Sequence, residues 1–279
     1  MSASINTPVQ TIAFLGATGG CTLPVLERTL KAGHHATALV RNPAKLRTLL
    51  LDPARGVAAD VLDRNLTIIA GDASDATAVR TLLTVPGKEK TLVNTIMSGV
   101  GSLPKLQWSL RRPVSLQQPG LCDTATRTVQ DALRDLIAEG YRVRGTQVED
   151  EGKPVMIAIS TTGISRLQRD VPVLFVPLYH WFLCVPHEDK RNMEDRVVAA
   201  KEEGSLRDFI IVRPSLLLDG EAKGAQALRV GWEGVKTSDQ APGPAVGYTT
   251  TRNEVAAWIW EEAIMNREKW AGKCVSLTY

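Results

Sequence analysis

The stretch FLGATGGCTLPVLERTLKAGHHATALVRNPAKL, from Phe14 to Leu46, changes its pattern three times. It begins as an apolar run, breaks into glycines, takes helical spacing from about Leu23 to Ala32, and enters a second apolar run. An apolar run, a glycine turn, an amphipathic helix and another apolar run are typical of a β–α–β unit with parallel strands. The stretch therefore predicts a glycine turn between the first strand and the first helix.

The remainder of the chain repeats this alternation. Further strands are predicted at LTIIAGD, KTLVNTI, VMIAIS, FIIVRPS and KCVSLTY, and further helices at about 43–50, 75–83, 123–139 and 187–203 and within TTRNEVAAWIWEEAIMNREKW. Repeated alternation of this kind indicates an α/β fold in which helices cover both faces of a parallel sheet.

Charge and cysteine usage argue against several classes of protein. The 33 basic and 30 acidic residues are spread along the 279-residue chain, without the basic stripe of a nucleic-acid binder, so we expect no nucleic-acid partner. The four cysteines lie far apart, which argues against a metal site and a disulfide framework. We expect reduced thiols and no bound metal.

The polar amino terminus, MSASINTPVQ, resembles no secretory signal, so a cytoplasmic location is expected. The most apolar stretch, Val171 to Pro186, is interrupted by prolines and is shorter than the roughly 20 residues of a spanning helix. We expect no integral membrane segment, although this stretch could touch a membrane or another subunit.

Glycines at the first strand end suit a dinucleotide. Gly16 and Gly19 allow a tight turn and the close approach of a pyrophosphate to the helix N-terminus, while Thr22 stands where a third glycine normally follows. We expect the cofactor loop to comprise Gly16, Thr18, Gly19, Gly20 and Cys21. A purely structural turn is the alternative. Cys21 could be a redox-sensing thiol, because a helix N-terminus lowers thiol pKa, or a packed side chain.

The end of the second predicted strand distinguishes the two nicotinamide cofactors. An acidic residue there binds a ribose 2′-hydroxyl, whereas LVRNPAK presents Arg41 and Lys45, which suit a 2′-phosphate. The sequence therefore favours NADP(H), with a solvated Arg41 as the alternative. Asp72 would lie beside the adenine or cap the next helix. Asn94, near the next strand end, would line the ribose and nicotinamide.

Five segments together resemble a known family: GATGG, LVRNPAKL, IIAGDASD, IVRPSLLLDG and TTRNEVAAWI. They resemble, in that order, the atypical short-chain dehydrogenase/reductase group that includes NmrA-like and other small NAD(P)H-binding proteins, with fungal relatives nearest in character. The resemblance implies a Rossmann-type, doubly wound parallel sheet with a small C-terminal substrate-side region. We expect one NAD(P)-binding domain over 1–279, with substrate-side elements mainly in 99–121, 163–190 and 214–250.

The resemblance also implies where catalysis would occur. In the family's reductases a Tyr-x-x-x-Lys pair anchors the ribose and donates a proton, but Tyr179 is followed four residues later by Leu183. Lys190 resembles the family's lysine, although Pro186 precedes it by four residues. His187, one helical turn away, and Tyr179 are the candidate proton donors, with structural roles equally open to both.

Other residues suggest the substrate side. Ser160 and Thr161 end the strand VMIAIS, where they could orient a carbonyl oxygen or simply cap a turn. The aromatic residues of 171–186, with Trp108, suggest a bulky apolar substrate, or else a core or dimer contact. We expect an NADPH-dependent reductase of a carbonyl or conjugated alkene in a small hydrophobic molecule.

Two alternatives remain open for the function. The absence of the Tyr-x-x-x-Lys pair favours a non-catalytic NADP(H)-sensing regulator of the NmrA-like kind, whose loops would dock a protein partner. A non-redox isomerase or cyclase on the same fold is the other. A homodimer is equally compatible with the sequence.

Overall fold

A central eight-stranded sheet organises the chain in this computed structural model, which describes residues 8–108, 114–144, 152–176, 181–235 and 241–279. The strands are β1 (Thr11–Leu15), β2 (His35–Val40), β3 (Leu66–Ala70), β4 (Thr91–Leu92), β5 (Thr95–Ser98), β6 (Pro104–Leu106), β7 (Val114–Leu116), β8 (Arg142–Val143), β9 (Val155–Ile159), β10 (Asp208–Pro214), β11 (Leu216–Leu218), β12 (Arg229–Glu233), β13 (Thr249–Thr251) and β14 (Lys273–Thr278).

The helices lie between these strands. The α-helices are α1 (Thr22–Lys31), α2 (Pro43–Leu50), α3 (Ala59–Asn65), α4 (Ala76–Leu83), α5 (Leu121–Ala138), α6 (Cys184–Glu202) and α7 (Arg252–Trp258). Short 3₁₀ turns form at Pro53–Arg55, Val173–Phe175 and Arg267–Lys269, and a π-helical segment, Ile259–Ile264, continues α7. Among the described residues, no helix is long and apolar enough to cross a membrane.

Strand order confirms the predicted Rossmann-type fold. The large sheet runs β12-β14-β10-β9-β5-β1-β2-β3, and all neighbours are parallel except β12, which is antiparallel to β14. The order reverses between β1 and β5, and in open α/β sheets ligands bind outside the carboxyl ends of the strands at this reversal. The topology therefore directs attention to the loops after β1 and β5.

Both faces of the sheet are buried, as β1 illustrates. Ile12 and Phe14 belong to the apolar cluster that contains Leu26 of α1, whereas Ala13 and Leu15 belong to the cluster on the opposite face. Alternate residues of a strand point to opposite faces, so a strand covered on both sides must be apolar throughout. This explains why TIAFL is a continuous apolar run.

Some predicted boundaries were wrong. The run KTLVNTI divides into β4, which pairs with β8, and β5, which joins the large sheet. Helix α6 begins at Cys184 rather than His187, because Pro186 fits within a first helical turn, where its missing N–H costs nothing. Helix α3 and the β6–β7 hairpin were not predicted from the sequence.

Candidate functional site

A cavity of about 320 Å³ opens at the carboxyl ends of β1, β2, β3 and β5, beside the reversal of strand order. We call it the glycine-loop cavity; its lining residues are Gly16, Thr18, Gly19, Leu39, Val40, Arg41, Asn42, Lys45, Gly71, Asp72, Ala73, Gly99, Val100, Gly101, Gln118 and Leu121. The structure thus brings together six of the predicted cofactor residues: Gly16, Thr18, Gly19, Arg41, Lys45 and Asp72.

Gly16 is required by both its conformation and its neighbours. Its φ of +73° is unfavourable for other residues, and a Cβ there would lie 2.8 Å from the Gly99 carbonyl oxygen. The Gly19 amide donates a 2.8 Å hydrogen bond to the Gly16 oxygen, which closes the turn into α1. The loops after β1 and β5 therefore meet backbone to backbone.

Gly99 also explains how the loop accommodates Thr22 in place of a third glycine. Thr22 is 1% exposed, and a Cβ on Gly99 would overlap its hydroxyl. Close packing of helix and strand normally needs a small residue on the helix. Here the space for the threonine comes from the glycine after β5.

Gly20 and Cys21 were predicted to belong to the cofactor loop, but neither lines the glycine-loop cavity. A Cβ on Gly20 would overlap the side chain of Arg252, so this glycine makes room for an arginine. Cys21 is 6% exposed in the core, and burial raises the pKa of its thiol to about 11. Burial therefore outweighs the helix N-terminus here and favours the packed side chain over the redox-sensing thiol.

The charged end of the cavity combines two cations with one carboxylate. Arg41 follows β2 directly, and Lys45 lies in the first turn of α2. Asp72 Oδ1 accepts hydrogen bonds from the Ser74 hydroxyl (2.7 Å) and amide (3.0 Å), which lower the pKa of Asp72, and the charge of Arg41 adds to this. Asp75, not Asp72, caps α4. Asp72 is therefore an ionised wall of the cavity rather than a helix cap.

Asn94 does not belong to this site. It precedes β5, so it lies at the amino end of the strand, opposite the cavity. Its side-chain Oδ1 accepts a 2.8 Å hydrogen bond from the Thr11 backbone amide. The backbone amide of Asn94 in turn donates to the Thr11 carbonyl oxygen. The predicted ribose contact is therefore wrong: the break between β4 and β5 puts Asn94 at the start of the strand.

A second cavity of about 360 Å³ adjoins the first, and Gly101 lines both. We call it the apolar cavity; it is lined by Gly101, Ser102, Pro104, Leu116, Cys122, Ser160, Thr161, Leu183, Pro186, His187, Asp189, Lys190, Pro214, Ser215, Leu216, Leu217 and Arg252. Its apolar walls are leucines and prolines. The aromatic residues Phe175, Trp181 and Phe182, which suggested a bulky substrate, are not among the lining residues.

Lys190 connects α6 to the sheet at the floor of this cavity. Its ammonium donates hydrogen bonds to the carbonyl oxygens of Ile159 (2.8 Å), the last residue of β9, and of Val100 (3.0 Å), in the loop after the neighbouring strand β5. An ammonium has three donors. Two are thus directed to the backbone, and the side chain is held at the junction of the two cavities.

Three other candidates accompany Lys190 in the apolar cavity. His187 is 2% exposed, and Thr161, which lines the same cavity, is half-buried. Ser160 is 4% exposed, and its hydroxyl has no hydrogen-bond partner among the described residues. A buried hydroxyl without a partner is unusual in a folded protein. Tyr179, the remaining candidate, lies outside the described residues.

Two further residues of the cavity were missed by sequence reasoning. Asp189 is 4% exposed and accepts hydrogen bonds from the Cys122 and Asp123 amides at the start of α5. The sequence gives one indirect signal: Gly120, which precedes α5, has no side chain to cap the helix, so the first amides of α5 need an acceptor from elsewhere. Arg252 begins α7, about 230 residues from the glycine loop that it contacts, so no local pattern could predict it.

A buried ion cluster fixes the distal part of α6. Arg213 of β10 donates to both carboxylate oxygens of Glu194 at 2.9 and 2.7 Å and also to Glu233 of β12. All three side chains are buried. Removing one partner of such a cluster leaves an uncompensated buried charge. The cluster therefore attaches α6, with Lys190 on it, to the sheet.

The reversed strand order and the glycine turn into α1 define a Rossmann-type nucleotide-binding protein. Residues 16–264 match the NAD(P)H-binding family, and the chain belongs to that family. It is 39% identical over 278 residues to reductase pytE of Aspergillus terreus, covering 96% of this chain and 98% of that one. It is 36% identical over 284 residues to oxidase pynE of Aspergillus niger, with the same coverage.

Solved structures confirm the fold. The oxidoreductase ylbE of Lactococcus lactis superposes with a TM-score of 0.58 at 17% identity, over 96% of this chain and 90% of that one. The anaerobillin reductase ChuY of Escherichia coli O157:H7 gives 0.56 at 20% identity, over 96% of both chains. The family and the two fungal relatives support an oxidoreductase that uses a nicotinamide cofactor.

The glycine-loop cavity fits such a cofactor. Its turn lies at the N-terminus of α1, where backbone amides and the helix dipole favour a pyrophosphate. The backbone contact of Gly16 with Gly99 leaves no space for a side chain where the phosphates must approach. Among the described residues, no group of three or more His, Cys, Asp or Glu side chains is arranged to hold a metal ion.

Proposed function

We propose that this protein is an NADP(H)-dependent oxidoreductase that reduces a carbonyl or conjugated alkene in a small hydrophobic molecule. The observation that carries the proposal is the junction of the two cavities. The glycine-loop cavity has the form of a dinucleotide site, and it meets at Gly101 an apolar cavity that contains Lys190 and Ser160.

The preference for NADP(H) over NAD(H) is supported by the side chains after β2. Arg41 and Lys45 line the glycine-loop cavity, where a carboxylate would otherwise accept from the ribose 2′-hydroxyl. The Asn42 side chain accepts from the Lys45 amide at 3.0 Å, so it is engaged as a helix cap. Two cations at this point suit the additional charge of a 2′-phosphate.

Reduction of a C=O or C=C bond adds two electrons with a hydride and then one proton. A bound reduced nicotinamide supplies the hydride, and the chain must orient the accepting group and supply the proton. We assign the ribose contact to Lys190, whose ammonium is hydrogen-bonded to the backbone through two of its three donors. Ser160 lines the same cavity, and we assign to its hydroxyl the hydrogen bond to the substrate oxygen.

The proton donor is assigned to His187. Histidine is the commonest general acid or base in enzymes, and in the cavity lining His187 lies three residues before Lys190 on α6, one turn away. Thr161 supports the orientation of the substrate oxygen from the strand end. Tyr179, which the sequence offers as the other donor, is tested by substitution with phenylalanine alongside His187.

The test is consumption of NADPH in the presence of apolar aldehydes, ketones and enones, measured at 340 nm with product analysis. NADPH deuterated at nicotinamide C4 distinguishes direct hydride transfer, because the deuterium must appear on the substrate carbon. We expect stoichiometric transfer of deuterium to at least one substrate. Tight NADPH binding without turnover of any of them would instead favour the non-catalytic regulatory alternative.

His187→Gln and Tyr179→Phe identify the donor. A pH profile of kcat that loses an ionisation in His187→Gln, but keeps it in Tyr179→Phe, supports His187. The opposite pattern assigns the proton to Tyr179.

A further inference from the structure

Arg252 lies across the boundary between the glycine loop and the apolar cavity. Its side chain passes over Gly20, where an added Cβ would lie 3.0 Å from Nε and would overlap Cδ. It also lines the apolar cavity, together with Ser160 and Lys190. Arg252 thus lines a cavity whose apolar walls are leucines and prolines.

Among the described residues, the charge of Arg252 is paired only with a solvent-exposed carboxylate, not with a buried one. Its Nη1 donates a 2.7 Å hydrogen bond to Asp219, whose side chain is 92% exposed, and the arginine side chain itself is 33% exposed. A solvated pair of this kind contributes little to stability and exchanges readily. Arg213 differs, because both of its carboxylate partners are buried. Arg252 can therefore leave Asp219 for a ligand at small cost.

The other charges of the apolar cavity are already engaged. Asp189 accepts two backbone amides of α5, and the Lys190 ammonium donates to two backbone carbonyls. Ser160 also lines the cavity, and its buried hydroxyl has no hydrogen-bond partner among the described residues. An apolar cavity with an exchangeable guanidinium on its wall is suited to an apolar molecule that carries a carboxylate.

We propose that Arg252 binds an anionic carboxylate-type group of the substrate, so that the substrate is a hydrophobic acid. This inference rests on the proposed function, since it specifies the substrate of the same site. The cofactor pyrophosphate is the other source of anionic oxygen near Gly20. The substrate is favoured because Arg252 lines the apolar cavity and is not among the residues that line the glycine-loop cavity.

The test compares 2-naphthoate with 2-naphthamide, an acid and its neutral amide of nearly equal size. Binding is measured by calorimetry on the whole protein, with and without saturating NADP+. We expect the wild-type protein to bind the acid about tenfold more tightly than the amide, as for one charge-assisted contact. Arg252→Met should abolish this preference, Arg252→Lys should keep part of it, and both should bind NADPH within about twofold of wild type.

Asp219→Asn is a second variant that leaves the arginine in place. Because it removes the competing carboxylate, it should tighten 2-naphthoate binding about two- to threefold and leave the amide unchanged. It keeps the test decisive should Arg252→Met fail to fold. An equal affinity of wild type for acid and amide, or no binding of the acid, overturns the inference.

Loss of NADPH affinity in Arg252→Met with an unchanged preference for the acid assigns the arginine to the cofactor and also overturns the inference. Wild-type protein that binds 2-naphthoate selectively but neither nicotinamide cofactor contradicts the proposed function alone. The two failures are therefore distinguishable.

Discussion

The glycine-loop cavity and the apolar cavity adjoin each other but are built differently. The first consists of loops that directly follow β1, β2, β3 and β5, and its shape depends on backbone contacts such as that of Gly16 with Gly99. The second collects side chains from distant segments, among them Cys122, His187 and Arg252. Backbone geometry at strand ends suits a ligand common to a family, whereas side chains from variable segments suit a particular substrate.

Substitution of Gly16 should have the largest effect, because it disturbs the backbone of the first cavity. Gly16→Ala combines a positive φ with a Cβ 2.8 Å from the Gly99 oxygen. We expect a loss of about 3 kcal/mol in unfolding free energy and no measurable NADPH binding. Urea denaturation and calorimetry measure the two effects.

Gly33→Ala is the matched control for that experiment. Its φ is +79°, but nothing lies within 4 Å of an added Cβ. It should cost only about 1–2 kcal/mol and leave cofactor affinity unchanged. Equal losses in the two variants would show that conformation alone, and not the contact with the loop after β5, determines the role of Gly16.

Lys190→Met tests the junction between the cavities. Without the ammonium, the Val100 and Ile159 oxygens lose their donor, and the proposed ribose contact is lost with it. We expect kcat to fall at least about 100-fold and NADPH affinity to fall about tenfold. Lys201→Met is the control, since Lys201 lies on the same helix but pairs with Asp208 at the surface. Equal kinetics in the two variants would remove Lys190 from the site.

Arg41→Ala tests the choice of cofactor. Removing a charge-assisted contact to a 2′-phosphate should weaken NADPH binding about 10- to 100-fold and leave NADH binding unchanged. Arg47→Ala, on the outer side of α2 and paired with Asp63, should change neither. A parallel loss of both cofactors in Arg41→Ala would mean that the arginine supports the loop rather than the phosphate.

The smallest effect concerns Cys21. Because burial raises the pKa of its thiol from about 9 to about 11, little thiolate exists at pH 8. Iodoacetamide should label the half-buried Cys184 first and Cys21 only after unfolding, as mass spectrometry can show. Because the folded-state pKa is raised, the stability gained by burying the neutral thiol is fully present below about pH 9. It is lost as the pH rises through about 11. Rapid labelling of Cys21 at pH 8 would contradict its burial.

The two cavities also differ in how far the sequence predicts them. Gly16, Arg41 and Asp72 were found because each lies within two residues of the end of a strand whose apolar pattern is visible. Asn94 was misplaced because two short strands read as one. Thr22 departs from the glycine pattern of the loop, and the residue that makes space for it, Gly99, is about 80 residues away in the sequence.

The apolar cavity could be predicted only in part. Lys190, Ser160 and Thr161 were identified, since a helix start and a strand end mark them. Asp189 and Arg252 act through tertiary contacts that leave no local pattern, as does the apolar wall of leucines and prolines. Contacts between segments far apart in sequence become visible only once the chain is folded.

The most direct test of the account is a calorimetric titration of the wild-type protein with NADPH and with NADH under identical conditions. The account predicts that NADPH binds with one site per chain and at least tenfold more tightly than NADH, because Arg41 and Lys45 line the cavity where the 2′-phosphate would lie. Equal affinity for the two cofactors would contradict the assignment to NADP(H). Binding of neither would mean that the glycine turn has a structural role alone.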